Sequence, residues 1–464
     1  MIPTTMRLGA AAAAALLAGC ASFSPDGGFD DVSRLVRERT GQTPALQRDD
    51  ADAAVAARRA ELLARPLTAD GAVELAFLGN RGLQASFAQL GIAEADLVRA
   101  GRLRNPSFGF GRLAGGGAVE IDRSLVFDVL GLLTMPLATQ VEQHRFEQAQ
   151  LRAADAAVGL AAEVRAAYVR AVAAQQLVGY AQQVMDAADA SAELAARMAA
   201  VGNLSELARL REQAFRADAT AQLARGRQRA LAERERLVRR LGLTDPAGLR
   251  LPERLPDLPA AAVEPHDAER TALDRRLDVL IAKRSAEATA RSLGLTRTTR
   301  LVDVLEAGWQ NQAQSGEPGR DGVEIRLELP LFDFGQARVA RAEATYRQAL
   351  GRVAQTAVDA RSEVRETLAA YRTAWDVARH YRDEVVPLRK RISEENLLRY
   401  NGMLIDVFEL LADAREQVAG VTGAIEALRD FWLADADLRT ALTGHAPGER
   451  ALPPGGAATP AAAD

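Results

Sequence analysis

The stretch from Val323 to Ala344 constrains the fold most, because it changes from a strand pattern to a helix pattern within a few residues. Val323, Ile325 and Leu327 alternate with charged residues, and a period of two is typical of a strand with one apolar and one polar face. From Gln336 onward the sequence is alanine-rich and charged, with the pattern of a very long helix. Such a strand needs a pairing partner, and the identity of that partner decides the fold.

The composition favours long helices packed through small side chains. Of 464 residues, 48% are hydrophobic but only 5% are aromatic, which is low for a core built from large residues. The formal net charge is −4, and no basic patch stands clear of its acidic neighbours. We therefore expect no nucleic-acid partner.

The N-terminus has the features of an export signal. Arg7 precedes the apolar stretch Leu8–Leu17, which is too short to cross a bilayer. The following Leu-Ala-Gly-Cys sequence resembles the bacterial lipoprotein signal, which implies that residues 1–19 are removed and that Cys20 carries a lipid. Cys20 is the only cysteine, so no internal disulfide or cysteine metal cluster is available. Because Ala21 follows rather than Asp, we expect anchoring at the outer membrane.

The rest of the chain is predicted to be an internal duplication of a helix, two strands and a long helical hairpin. The predicted regions are a lipidated N-terminal linker at 20–65, a first repeat at 66–250, a Pro-rich linker at 251–266, a second repeat at 267–444 and a disordered tail at 445–464.

Each repeat is predicted to contain a helix, a pair of strands and a long helical run. The helices are predicted from Ala72 to Gly101 and from Asp267 to about Leu293. The strands are predicted at Phe108–Gly111, Val119–Val129, Arg300–Trp309 and Val323–Leu331. The helical runs are predicted from about Gln140 to Leu241, interrupted at Val201-Gly202-Asn203, and from Gln336 to about Leu442, interrupted at Asn401-Gly402-Met403. Pro136 is expected to end the second strand, and Pro387 to kink the last helical run.

The strands also demand partners outside the chain. Each is about ten residues long, the length that a tilted strand needs to cross a bilayer. Every backbone group in lipid must be paired, and closed barrels begin at about eight strands. Four strands must therefore close with copies from other chains, with Glu324, Arg326 and Glu328 facing a water-filled lumen. The alternative is an amphipathic hairpin packed on a soluble helical bundle.

The chain resembles the TolC-type outer-membrane factors, the exit ducts of Gram-negative efflux and secretion systems. The resemblance runs from about Ala72 to Gly444, and it rests on three stretches, AGRLRNPSFGF from Ala100, LPLFDFGQARVARAEATY from Leu329 and RYNGMLIDVFELLADAREQ from Arg399. It implies a homotrimer with a mainly α fold: long α-helical hairpins forming a periplasmic α-barrel, and four transmembrane strands per chain closing a twelve-stranded β-barrel. This sequence departs from the family at Asn401, where many drug-efflux members carry two residues.

The resemblance also places a gate just past the second interruption. By position Glu409 resembles the acidic residues that ring the constriction in the family, and Asp406 lies one turn earlier. Aligning the interruptions on Gly202 and Gly402 pairs Asp406 with Glu206. The triplet Arg211-Glu212-Gln213 recurs as Arg415-Glu416-Gln417. Aligning these triplets pairs Glu409 with Ser205 instead, so the first repeat offers Glu409 no acidic counterpart in either alignment.

The resemblance implies function as an efflux exit duct, with a periplasmic adaptor and an inner-membrane pump of the resistance-nodulation-division type as partners. The shared motifs are most similar to those of the family branch that accompanies heavy-metal or copper-resistance pumps. We expect neither an enzyme nor a cofactor, because no phosphate loop or nucleophile elbow is present and the histidines are scattered. The alternative function is a lipid-anchored periplasmic coiled-coil scaffold or adaptor without a pore.

Overall fold

The computed structural model describes residues 22–47, 53–115, 118–302, 304–405 and 407–444. The predicted signal peptide, Cys20, Asp406 and the predicted tail from His445 therefore lie outside the described residues.

The described chain is mainly helical. The helices are α1 (Phe29–Thr40), α2 (Ala53–Leu63), α3 (Ala69–Gly79), α4 (Arg81–Ala100), α5 (Val129–Ala200), α6 (Glu206–Leu241), α7 (Ala268–Arg275), α8 (Leu277–Thr298), α9 (Gln336–His380), α10 (Val386–Asn401) and α11 (Val407–Thr443). None of the helices in this part of the chain is long and apolar enough to cross a membrane.

A π-helical turn, Tyr381–Val385, joins α9 to α10 and ends two residues before Pro387. Proline has no N–H to donate, so the α-helical hydrogen-bond pattern cannot continue unchanged through this position. The distortion expected at Pro387 takes the form of this π-helical turn.

Four strands form one antiparallel sheet in the order β1-β2-β3-β4. They are β1 (Ser107–Gly115), β2 (Ala118–Asp128), β3 (Leu305–Gln314) and β4 (Arg320–Leu327). The order of helices and strands repeats once along the chain, as the internal duplication predicts.

The third strand lies about five residues further along the chain than predicted. Gln310, Gln312 and Gln314 follow the predicted strand end at Trp309, but they belong to β3, and Gln314 pairs with Glu120 of β2. A sheet with one polar face accommodates polar residues at every second strand position. The prediction was wrong because it ended the strand at the last apolar residue.

The start of the first helical run was also predicted wrongly. Helix α5 begins at Val129, not near Gln140, and Pro136 lies inside it. The Oδ1 atom of Asp128 accepts a hydrogen bond of 2.7 Å from the N–H of Gly131, which satisfies one of the free donors at the helix start. The acidic residue that ends β2 thus caps the next helix.

The helix before each strand pair is broken, although the sequence predicts it to be continuous. Asn80 separates α3 from α4, and its Oδ1 atom accepts a hydrogen bond of 3.0 Å from the N–H of Leu83. Arg276 separates α7 from α8; its side chain is buried, and its Nη1 atom lies 2.7 Å from Oε2 of Glu363. The two breaks fall at corresponding positions of the two repeats.

The chain forms two compact units, each assembled from separate stretches. The first contains the described residues up to Val32 together with Ser86–Ala153 and Asp278–Val358, and it holds the whole sheet. The second contains Ser33–Ala85, Ala154–Leu277 and the described residues from Asp359 onward. Each unit therefore takes residues from both predicted repeats.

The core of the second unit includes the segment that the sequence marks as a Pro-rich linker. Leu255 and Leu258 of this segment are buried, and the N–H of Val263 donates a hydrogen bond of 3.0 Å to the hydroxyl of Tyr371. Tyr371 packs against Phe431 with ring centroids 5.5 Å apart. The segment is irregular in backbone, but its leucines stabilise the core.

Candidate functional site

The sheet has one face on which apolar side chains cluster, here called the apolar face. Residues that pair directly across strands share a face, and the register places Phe108 opposite Leu125, Leu125 opposite Trp309 and Trp309 opposite Val323. These residues are joined on that face by Phe110, Phe127, Leu305, Ala307, Ile325 and Leu327. Val323 and Ile325 are 78% and 71% exposed, so the described residues leave this face uncovered there.

The apolar face becomes polar towards the hairpin turns. There Nη1 of Arg123 donates a hydrogen bond of 3.2 Å to Oδ1 of Asn311, and Nδ2 of Asn311 donates one of 2.9 Å to Oδ1 of Asp321. These three residues form a belt across β2, β3 and β4. Trp309 is one residue pair away, at the border between the belt and the apolar residues.

The opposite face, here called the polar face, carries most of the charged side chains and glycines of the sheet. Its charged members are Glu120, Asp122, Asp128, Glu306, Arg320, Glu324 and Arg326, with Leu113 and Val126 as large apolar exceptions. Sequence reasoning placed Glu324 and Arg326 together on one face, and the register bears this out.

An ion-pair group sits on the polar face at the helix end of the sheet. Nη1 of Arg326 lies 2.7 Å from Oε2 of Glu306, and its Nη2 lies 2.9 Å from Oε1 of Glu324. Glu306 lies within the predicted third strand, but sequence reasoning did not single it out as a partner of Arg326. Glu328 follows the end of β4, and its N–H donates a hydrogen bond of 3.2 Å to the carbonyl of Val304.

The turn between α5 and α6 has the hydrogen bonds of a Schellman motif. The N–H of Gly202 donates to the carbonyl of Ala199 at 3.0 Å, and the N–H of Asn203 donates to that of Met198 at 2.9 Å. Gly202 has a φ of 79°, the left-handed conformation that this motif requires. Ser205 then caps α6 through a 3.2 Å hydrogen bond from the N–H of Ala208.

The turn after α10 repeats this pattern with a different residue in the left-handed position. The N–H groups of Met403 and Leu404 donate to the carbonyls of Tyr400 and Arg399, both at 2.9 Å, and Met403 has a φ of 56°. The equivalent of Gly202 is therefore Met403, not Gly402. In this alignment Ser205 corresponds to Asp406, and Ala208 corresponds to Glu409.

The acidic residues predicted near the turns differ in surroundings. Glu206 begins α6, and its carboxylate accepts a hydrogen bond of 2.8 Å from Nε of Arg209, which lowers the pKa of Glu206 below its ordinary value. Glu409 lies in the first turn of α11 and is exposed. Asp406 is outside the described residues. The structure thus places Glu206 and Glu409 next to the two turns, and exposed apolar residues, among them Val201, Met403 and Leu404, occupy the turns themselves.

Among the described residues, no three His, Cys, Asp or Glu side chains are grouped closely enough to hold a metal ion.

Comparisons with known proteins show likeness in structure but not in sequence. No family model matches the chain, and no curated protein is significantly similar to it. A membrane protein from Pseudomonas aeruginosa is similar in structure, with a TM-score of 0.69 and 19% identity over 86% of this chain and 99% of that one.

Several outer-membrane channels are also similar in structure. The outer-membrane channel OprN has a TM-score of 0.67 and 20% identity over 88% of this chain and 96% of its own. The channel protein CusC has a TM-score of 0.67 and 15% identity over 81% of this chain and 92% of its own. The chain therefore has the mainly helical fold, with a small antiparallel sheet, of these outer-membrane channels, which is the fold that the TolC-type resemblance predicted.

Proposed function

We propose that the chain forms a homotrimeric exit duct in the outer membrane, which passes substrates from an inner-membrane pump and a periplasmic adaptor to the exterior. One observation carries this proposal: a four-stranded sheet with an exposed apolar face, a charged face and two open edges. The fold shared with outer-membrane channels supports it.

The open edges argue for assembly in a membrane. Strands β1 and β4 each pair on one side only within the described chain, which leaves a row of backbone N–H and C=O groups on each outer side. In lipid those groups must be paired, and the strand lengths of 8 to 11 residues suit a tilted crossing. Joining the edges of three copies closes a barrel without a free edge.

The two faces then have distinct environments. The apolar face meets lipid, with Trp309 at the border where aromatic residues favour the interface. The polar face lines a water-filled lumen that includes Glu324, Arg326 and Glu328. The turns next to Glu206 and Glu409 form the inner end of the duct, where Asp406 and Glu409 contribute to a cation-attracting constriction.

The proposal also includes the partners and the lipid anchor that the sequence predicts. The exposed Val201, Met403 and Leu404 suit contact with a periplasmic adaptor, and the pump is of the resistance-nodulation-division type. Cys20 carries a lipid in the outer membrane. Heavy-metal or copper cargo remains a prediction from the sequence motifs alone.

The proposal is tested on the full chain in isolated membranes. We expect an outer-membrane protein that migrates as a heat-sensitive trimer and that opens conducting pores in planar bilayers. The alternative, a lipid-anchored coiled-coil scaffold without a pore, predicts a monomer that leaves the membrane without detergent once its lipid is removed. Recovery of that monomer, with no conductance, would overturn the duct.

A further inference from the structure

The pairing between the two repeats within the sheet indicates how the sheets of two copies of the chain pair with each other. Strand β2 ends the first hairpin and β3 begins the second, so the β2–β3 pairing is a junction between two repeats. In a closed assembly of copies, β4 of one chain meets β1 of the next, which is again a junction between two repeats. This inference rests on the proposed function, because it assumes that the sheet closes with other copies.

The two hairpins can be superposed through their own registers. Placing Gly109 on Gly308 puts Phe110 on Trp309, so glycine matches glycine and aromatic residue matches aromatic residue. Within the hairpins Phe110 pairs with Arg123, and Trp309 pairs with Val323. The same superposition therefore places Leu125 on Ile325 and Phe127 on Leu327.

The observed junction then specifies the unobserved one. In β2–β3, Leu125 lies opposite Trp309 and Phe127 lies opposite Ala307. Exchanging each residue for its equivalent gives Ile325 opposite Phe110 of the next copy. It also gives Leu327 opposite Phe108 of the next copy.

We infer that β4 of one copy pairs antiparallel with β1 of a second copy in the register that sets Ile325 opposite Phe110 and Leu327 opposite Phe108. The occupant of each open edge is thus another copy of this chain. The pairs form an apolar seam on the lipid-facing side of the assembled sheet.

The lengths of the two edge strands support this register independently. It gives each of the eight β4 residues, Arg320–Leu327, a partner within β1, Ser107–Gly115. A shift that sets Ile325 opposite Ala114 leaves half of β4 beyond the end of β1. Backbone groups left without partners in lipid cost several kcal/mol each, so the fully overlapping register is strongly favoured.

The polar face is compatible with the same register. It sets Arg326 opposite Gly109 and Glu324 opposite Gly111 of the neighbouring copy, so the ion-pair group meets residues without side chains. In the shifted register Arg326 faces Leu113 and Leu327 faces Arg112. A charged side chain is then paired with an apolar one on each face of the sheet.

Disulfide trapping in the full-length protein tests the register. Phe110 and Ile325 lie on opposite edges of the sheet, at least about 14 Å apart because three strand spacings separate the edges, too far for a disulfide within one chain. A disulfide in the double variant Phe110→Cys/Ile325→Cys must therefore join two copies. We expect mild oxidation of membranes to convert this variant to covalent trimers that a reductant returns to monomers.

Matched variants separate the register from assembly itself. Ala114→Cys/Ile325→Cys reports the shifted register, and Arg112→Cys/Ile325→Cys reports an intermediate one. Both are expected to cross-link poorly, because a diagonal neighbour such as Arg112 is about 7–8 Å away and Ala114 lies two residues further along β1. The two single variants Phe110→Cys and Ile325→Cys show whether Cys20 contributes to disulfide formation.

Preferred cross-linking of either shifted pair in a heat-sensitive trimer would overturn the register while leaving the duct intact. Absence of a trimer in the unmodified protein would instead overturn the proposed function.

Discussion

Arg415 of α11 and Glu212 of α6 form a largely buried ion pair in the second unit. Nη2 of Arg415 lies 2.7 Å from Oε1 of Glu212, whose side chain is only 3% exposed. The other carboxylate oxygen accepts a 2.6 Å hydrogen bond from the hydroxyl of Ser191 in α5, and the guanidinium lies 4.4 Å from the ring centre of Phe215. Three helices from both repeats are joined through one carboxylate.

Removing this carboxylate is expected to destabilise the protein strongly. Glu212→Ala leaves the Arg415 guanidinium partly buried without its ion partner, and losing one member of a buried pair costs about 3–5 kcal/mol. Denaturant unfolding of the trimer in detergent measures the loss. The control is Glu416→Ala, which removes the more exposed partner of Arg389 and should cost less than about 1 kcal/mol. Equal losses of stability in the two variants would show that burial does not strengthen the contribution of the Glu212–Arg415 pair.

Neighbouring residues of β4 should respond oppositely to a change of charge. Leu327→Arg puts a cation on the apolar face, at a cost of about 2–4 kcal/mol near the bilayer midplane and less near an interface. We expect less trimer in the membrane fraction on native gels. Arg326→Leu should assemble normally and, by leaving Glu306 and Glu324 without their cation, increase the preference for cations in bilayer recordings. If the two variants give equal trimer yields, the faces do not separate lipid from lumen.

Glu409 is expected to contribute to cation preference at the inner end of the duct. Three symmetry copies of a carboxylate in a narrow passage attract cations, so Glu409→Ala should shift the reversal potential in a salt gradient towards the nonselective value. Asp406→Ala/Glu409→Ala should shift it further.

Glu206→Ala provides the comparison for this prediction. Arg209 lowers the pKa of Glu206 below its ordinary value, so this carboxylate stays ionised to a lower pH than an unpaired glutamate. The positive charge of Arg209 balances it. Its removal should change selectivity less than Glu409→Ala does. Unchanged selectivity in the Asp406/Glu409 double variant would place both carboxylates outside the lumen.

The two Schellman turns predict opposite effects of glycine. Met403 adopts the left-handed conformation without being glycine, which costs about 1–2 kcal/mol. Met403→Gly should recover about 1 kcal/mol of stability, although the added freedom of the unfolded chain reduces this gain. Gly202→Met should lower the stability by a similar amount. A side chain at Gly202 meets no neighbouring atoms, so the left-handed backbone conformation is the only source of strain. Thermal unfolding of the two variants checks the pair of signs, and a destabilised Met403→Gly would show that the Met403 side chain makes stabilising contacts.

Cys20 is expected to carry the lipid. Its place after Leu-Ala-Gly resembles a lipoprotein signal, and the sequence contains no other thiol. Cys20→Ser should abolish incorporation of labelled palmitate and slow removal of the signal peptide, whereas Cys20 in the unmodified protein should be labelled. Normal labelling of the variant would contradict the assignment. Because the proposed barrel is itself a membrane anchor, we expect some transport activity to survive.

Local pattern was sufficient for the elements whose sequence signal lies within a few residues. The alternation around Ile325 predicted β4 and the charged side of the sheet, and the onset of helix at Gln336 was predicted to the residue. The interruptions at Gly202 and Gly402 were also visible, because glycine and asparagine mark helix ends. The repeat of these signals established the internal duplication.

Tertiary structure decided the features that depend on residues far apart in sequence. Gln310 and Gln312 belong to a strand because β2 and β4 pair with them on both sides, and no local pattern contains that information. The break at Arg276 is tied to Glu363 on a distant helix. Likewise, the equivalence of Gly202 with Met403 became visible only from backbone hydrogen bonds. The sequence by itself determined β4, the onset of α9 and the two helix interruptions, through short-range periodicity. The extent of β3, the register, the helix breaks and the buried ion pairs were decided by the tertiary structure, because their free energy comes from partners that the chain brings together only on folding.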